Sequence, residues 1–320
     1  MFETNPLPCE TSSDNNPPAF AMTRLAIPEF RLLVGTMHGV YLLEPRAAHF
    51  LFPLTTYGIS HHGNHWYIAE RADKVGEGKV YRFTLEGRTA HPLELFARGL
   101  KPELHQIDWI EDRLYVLESE LDAVRMFDES GNLIDTLYPH SDRQARTIDD
   151  QDYCRFNSVF FDGKHLYLVA HNRTRKTGKP SALWILDSLQ GDAFRSIRMV
   201  EDIGGNSHNF IPDGNTAYYC DSMAGDVVAL SHIDSPQTEI KFHCDCFTRG
   251  LVLTDEYIAI GASKFGERWE RDHLGGKVFI LDRDFREICR VDLPECGQVY
   301  EIRAVDQPDY GLSNAMEKDG

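Results

Sequence analysis

Apolar residues along this chain come in short bursts between turn residues, with no long amphipathic stretch. Runs such as Trp66-Tyr67-Ile68-Ala69, Leu114-Tyr115-Val116-Leu117, Leu166-Tyr167-Leu168-Val169 and Tyr257-Ile258-Ala259-Ile260 are rich in β-branched, aromatic and leucine side chains. Such segments suit half-buried strands. Glu86-Gly87, Ser130-Gly131, Asp162-Gly163 and Asp213-Gly214 lie between runs, where glycine takes up the positive φ of a turn. Nowhere does a helical period persist between caps at both ends. The pattern predicts an all-β protein.

The strands also recur. Six segments align: Tyr57-Gly58-Ile59-Ser60, His105-Gln106-Ile107-Asp108, Phe156-Asn157-Ser158-Val159, His208-Asn209-Phe210-Ile211, Arg249-Gly250-Leu251-Val252 and Tyr300-Glu301-Ile302-Arg303. A period of about fifty residues marks a solenoid, a propeller or an array. Three further strand-like runs follow each of the first five segments. The sixth segment, within 299–305, has none after it. Three unpaired runs stand at the other end of the chain, at 32–35, 40–43 and 49–52. Joining them closes a ring and removes an open sheet edge. The expected fold is therefore a six-bladed β-propeller over residues 29–305, closed by the C-terminal inner strand. A two-sheet β-sandwich also supplies many short strands but no fixed period. Residues 1–28 read as a disordered leader and 306–320 as a flexible tail.

Composition narrows the function classes. With 320 residues, 42% of them hydrophobic, the chain can bury a large core. A formal charge of −17 speaks against nucleic acid and against anionic membrane surfaces as partners, and it suits a cation. A small-molecule ligand is the expected partner; oligomeric state is not legible. No signal-peptide pattern or membrane-length apolar run is present. The seven cysteines are odd in number and irregular in spacing, and Cys244-Asp245-Cys246 is too closely spaced for a usual zinc pair. Free thiols suit a reducing compartment, so a cytoplasmic location is expected.

In a propeller the first strand of each blade lines the central channel. The loops between second and third strands rise around the mouth where those first strands begin. Here the loops at 71–79, 170–181 and 262–277 are extended, and they would wall a pocket. The first aligned position carries His105, His208 and Arg249. An imidazole there can act as a general base, or several can hold iron or zinc. Arg249 can clamp a carboxylate or phosphate, or pair with Glu301. Asp221, Glu118, Lys264, Arg268 and Arg271 are secondary candidates. The histidines of His61-His62-Gly63-Asn64-His65 read as a surface turn at the far end of their strand.

The segment from Phe156 to Ala170, which begins Phe156-Asn157-Ser158-Val159, resembles the asparagine-bearing blade of six-bladed calcium-dependent propellers. These are the gluconolactonase/regucalcin and paraoxonase-like proteins. The resemblance implies a metal at the channel, held by a glutamate at the start of one inner strand and by Asn or Asp on others. The matching positions here are Asn157, Asn209 and Glu301, with Gln106 as a fourth. Calcium accepts such oxygens and can polarise a carbonyl. The expected function is then a calcium-dependent hydrolase or isomerase acting on a small polar ester or lactone, with His105, His208 and Arg249 as catalytic residues. Three alternatives stay open: amides that only cap channel-facing backbone groups, a non-catalytic propeller that binds a small molecule, glycan or protein, and an enzyme with histidine-ligated iron or zinc.

Overall fold

Six antiparallel four-stranded sheets surround one axis in the computed structural model, which describes residues 27–72, 76–139, 154–188, 194–267, 270 and 273–315. Blade one comprises Thr56–His62, His65–Glu70, Gly78–Phe83 and Glu94–Leu100. Blade two comprises Leu104–Ile110, Arg113–Glu118, Ala123–Phe127 and Leu133–Leu137, and blade three Phe156–Phe161, His165–Ala170, Ala182–Ser188 and Phe194–Val200. Blade four is His208–Asp213, Thr216–Asp221, Asp226–Ser231 and Gln237–His243, and blade five Phe247–Leu253, Ile258–Ser263, Gly276–Leu281 and Glu287–Leu293. Blade six joins the two ends of the chain: Val299–Ala304 pairs with Leu32–Thr36, followed by Val40–Glu44 and Ala47–Phe52. The propeller and its closure are as the repeats predict. A two-stranded hairpin, Leu85–Glu86 with Thr89–Ala90, interrupts blade one and has no counterpart in the sequence reading.

Alternating side chains point to opposite faces of each sheet, and both faces pack on neighbouring blades. The core is accordingly divided among six apolar clusters, one at each blade interface. Leu32, Val34, Val252 and Ile280 fill the junction of blades five and six, for example. Burying a side chain of this size contributes roughly 1.5–3 kcal/mol, so each interface rests on many such residues.

The recurring segment has a structural meaning. The pairing register shifts there in every blade, between Thr56 and Gly58, Leu104 and Ile107, Phe156 and Ser158, His208 and Phe210, and Thr248 and Leu251. In blade six the shift falls opposite Val299 and Glu301. A bulge re-aims side chains that strict alternation would send into the blade interfaces. Where the second aligned residue is glycine, the next inner strand comes close. A Cβ on Gly58 would meet the His105 carbonyl oxygen at 2.6 Å, and Gly250, at φ 82°, lies against Ile302.

The segment 306–315 corrects the expectation of a flexible tail. Asp309, Leu312 and Ser313 are buried. Asp309 accepts hydrogen bonds from the Ala304 and Gly311 amides, and Ser313 donates both its amide and its hydroxyl to Asp108. This segment plugs the end of the channel opposite the loops. The leader at 1–26 lies outside the described residues. Among the described residues no helix is long and apolar enough to cross a membrane.

Candidate functional site

The second aligned position forms a belt of hydrogen bonds across the channel. Gln106 Oε1 accepts from the Val159 amide of blade three at 3.1 Å, and Asn157 Nδ2 donates to the Ser207 carbonyl ahead of blade four at 2.8 Å. Asn209, at φ 51°, accepts from the Gly250 amide of blade five at 2.9 Å and donates to Glu301 of blade six at 3.1 Å. Each amide therefore ties its strand to the next, and the left-handed backbone at Asn209 is one asparagine tolerates better than most residues. Glu301 also accepts from its own neighbour, the Ile302 amide, and meets the buried Arg303 guanidinium at 3.2 Å. Arg303 donates to the Ile59 and Ile302 carbonyls at 3.1 Å.

These donors do not fit calcium. The amide oxygens of Gln106 and Asn209 are spent on backbone N–H groups, and Asn157 Oδ1 accepts from Ser158 at 3.2 Å. The only carboxylate of the belt already faces a cation. A divalent ion would have to displace the bonds between blades and sit beside a fixed guanidinium. Asn157, Asn209, Gln106 and Glu301 are brought together as expected, but as a structural belt. Among the described residues no cluster of three or more His, Cys, Asp or Glu could hold a metal ion.

Burial pushes the Glu301 carboxyl up to about 7, against the pull of Arg303 and Arg249. The native state thus holds this proton between the ordinary value of 4.5 and about 7. Its contribution to stability is full below that window and falls as pH rises through it. Relative to Glu301→Gln, wild type should lose melting temperature between about pH 5 and about pH 8. A difference that is constant with pH would contradict this assignment.

Above the belt the first aligned position opens into a cavity of about 790 Å³. His105, His208, Arg249, Tyr57 and Tyr300 line it from the inner strands. Arg71, His171, Arg173 and Glu267 reach it from the loops that the sequence singled out. Tyr57 and Tyr300 stack with centroids 3.8 Å apart, and the Arg249 guanidinium lies 4.6 and 4.9 Å from their rings. Arg71 donates to Tyr57 Oη at 2.5 Å and to Glu103 at 3.0 Å, and Arg155 closes on the same carboxylate.

Arg249 is only 7% exposed, yet its guanidinium has no hydrogen-bond or carboxylate partner among the described residues. Glu301 is taken by Arg303, which leaves the anion clamp of the two sequence-based readings. Burial holds the Arg249 pKa below its ordinary value, opposed by Tyr57, Tyr300 and Glu301. Stacking on aromatic rings offsets part of the cost of burying this charge.

The imidazoles sit in defined states. Ser119 Oγ has one proton and gives it to the Phe156 carbonyl at 2.5 Å. Its contact with His105 Nδ1 at 2.7 Å must then be one in which the ring donates. Neutral His105 therefore presents an unprotonated Nε2 to the cavity. His171 is the reverse: its Nδ1 accepts from the Arg173 amide at 3.0 Å, which leaves the proton on Nε2. His208 Nδ1 contacts Ser222 at 2.9 Å. Burial, then the Arg249 charge, pushes His105 and His208 well below the usual imidazole range, and burial with Arg155 takes His171 to about 3. Neutral rings beside arginines are poor hosts for iron or zinc, since a further cation meets the same field.

The remaining sequence candidates lie elsewhere. Asp221 accepts from the Gly205 and Ala224 amides, and Glu118 pairs with Arg125 and the Lys101 amide. Lys264 is not among the lining residues, and Arg268 and Arg271 fall outside the described residues. His62 stacks on Trp109 at the far end, as a surface turn allows. Glu103 and Arg155 were missed because each lies just outside the repeated segment, and Arg71 because only the loop it opens, 71–79, was singled out and not the residue. Ser119 and Ser222 carried a usable signal, because each stands fourteen residues after its histidine.

No family model matches the chain, and no curated protein matches it. Its fold is similar to that of many solved structures. A chain of a nidogen/laminin complex aligns with a TM-score of 0.63 at 12% identity, over 87% of this chain and 99% of that one. A putative 6-phosphogluconolactonase from Bacteroides fragilis aligns at 0.52 and 13% identity, over 87% and 98%. Regucalcin from Agrobacterium tumefaciens, a calcium-binding protein, aligns at 0.51 and 13% identity, over 84% and 80%. At these identities the likeness is one of fold, and it defines a six-bladed β-propeller.

Proposed function

We propose that the protein binds a small anionic ester or lactone at the upper mouth of its channel and hydrolyses it. Arg249 holds the anionic group, and His105 Nε2 takes the proton of the water that attacks the carbonyl carbon, later returning it to the leaving alkoxide. The observation that carries this reading is the buried Arg249 guanidinium lining the cavity, which stacks on two tyrosines and has no hydrogen-bond or carboxylate partner among the described residues. Such a charge gains most from a ligand that supplies the missing acceptor. An anion placed there also cancels the largest charge effect holding His105 low, so the base strengthens when substrate is bound. The putative lactonase among the fold neighbours is consistent with this chemistry.

A second reading, a propeller that binds the anion without turnover, is favoured by the same low basicity of the free imidazoles, since a general base works best near the operating pH. Initial rates separate the two. Lactones and esters that carry a carboxylate or phosphate should be hydrolysed faster than neutral counterparts. His105→Gln should lower kcat by about 10²–10⁴-fold while binding persists. Anion binding without turnover of any member of the panel would select the binder.

A further inference from the structure

Ester hydrolysis needs an electrophile as well as a base, because the carbonyl oxygen gains negative charge when water adds. The belt has no cation to spare, since Arg303 is held by Glu301, and Arg249 serves the anionic group of the ligand. A different donor stands at the mouth. His171 follows the second strand of blade three and lines the cavity. The Arg173 amide donates to its Nδ1 at 3.0 Å, so the neutral ring carries its proton on Nε2. That N–H has no hydrogen-bond partner among the described residues. His208 differs, because Ser222 contacts its Nδ1 at 2.9 Å and the ring is also hydrogen-bonded to the Asn206 backbone.

A chain of contacts connects this ring to the rest of the site. The Arg249 guanidinium lies 4.6 Å from the Tyr57 ring, and Tyr57 meets His105 edge-on at 5.2 Å. Nδ1 of His105 is held by Ser119, whose hydroxyl donates to the Phe156 carbonyl. Phe156 pairs with Ala170 across the first two strands of blade three, and His171 is the next residue. One backbone rung therefore fixes both imidazoles on neighbouring blades, with the anion clamp beyond Tyr57. The two rings are set in opposite tautomers, so that His105 presents an unprotonated Nε2 and His171 an N–H. His171 also stays neutral, because burial and then the Arg155 charge take its pKa to about 3. A neutral imidazole can polarise a carbonyl oxygen while keeping its own proton.

We propose that His171 is a catalytic residue, whose Nε2–H donates to the carbonyl oxygen of the bound ester or lactone while His105 directs the attacking water. This rests on the reading of the upper mouth as a hydrolytic anion site and adds its electrophile. As the water oxygen bonds to the carbonyl carbon, a water proton passes to His105 Nε2, and the C=O π pair moves onto the oxygen held by His171. When that pair returns, the bond to the leaving oxygen breaks and His105 gives its proton to the alkoxide, which leaves a carboxylic acid and an alcohol. His171 keeps its own proton throughout.

Initial rates of the full chain on two anionic probes test it, the mono-4-nitrophenyl ester of glutaric acid and 6-phosphoglucono-δ-lactone. His171→Phe should lower kcat by about 10²–10³-fold with little change in KM. His171→Gln, which keeps an N–H at similar reach, should recover about tenfold or more of that loss. Nitrogen-15 NMR of histidine-labelled wild type, with His171→Phe to assign the resonance, should show the neutral Nε2–H tautomer from about pH 5 to about pH 8. A His171→Phe enzyme as fast as wild type, or an Nδ1–H tautomer, overturns the proposal, and the hydrolytic reading stands if His105→Gln is still slow. Should His171→Phe fail to fold, His171→Gln assigns the resonance and the tautomer decides. If wild type turns over neither probe, the hydrolytic reading fails and the role of His171 falls with it.

Discussion

Arg249→Gln should leave a folded protein that no longer holds small anions. Truncating one partner of a buried charged hydrogen-bonded pair costs about 2–5 kcal/mol of binding, a loss of roughly 30-fold or more in affinity. Stability should move the other way or not at all. In the free protein Arg249 is a buried cation with no hydrogen-bonding carboxylate or acceptor among the described residues, compensated there by Tyr57 and Tyr300 and by the nearby Glu301 charge. Removing such a group relieves a desolvation cost, as expected where a site trades stability for function. Titration with gluconate and thermal melts of both proteins check the pair of effects. Binding that survives the substitution, or a melting temperature that drops by many degrees, would mean that Arg249 is structural.

The second large effect concerns the far end of the channel. Ending the chain after Asp306 should lower the melting temperature by about 10 °C or more. The cut removes Asp309, Gly311 and Ser313, and with them the partners of Asp108, Phe161 and Ala304. Arg303 is affected most. Burial works against its charge, yet Glu301, Asp309 and Asp108 together hold its pKa above the ordinary value. Each buried polar group left unsatisfied costs about 1–3 kcal/mol, and in a domain of this size each kcal/mol is worth roughly 2–4 °C. Differential scanning calorimetry of the shortened chain gives the answer. An unchanged melting temperature would mean that the segment is dispensable.

The fold was legible because a propeller writes its geometry into sequence spacing. Each inner strand must bulge at one height of the channel, and the residues at the bulge must be small, like Gly58 and Gly250, or able to reach the next strand, like Gln106, Asn157 and Asn209. That requirement is the repeat. The same belt explains why a calcium site was expected. Asn, Gln and Glu at the starts of inner strands satisfy backbone groups as readily as they satisfy a metal, and the spacing is identical. What separates the two is Arg303, two residues beyond Glu301 in the aligned segment but reaching back to it in space.

The upper site was legible in part. His105, His208 and Arg249 share a repeat position and do share a cavity. Tyr57 and Tyr300 occupy the same position, yet aromatic residues at a strand start read as ordinary core until their stack beneath Arg249 is seen. The arginines of the mouth could not be read from a chain of net charge −17, because charge summed over a sequence does not say where its cations stand. The order of the tail was hidden for a related reason. Asp309, Gly311 and Ser313 are residues of loop composition, and only the channel end that they fill gives them buried partners.

The most direct test is a calorimetric titration of 6-phosphogluconate into wild-type protein after exhaustive treatment with a chelator. A site built on Arg249 should bind the anion with unchanged affinity in the metal-free protein. Binding that disappears on chelation and returns with calcium would contradict it and restore the metal to the channel.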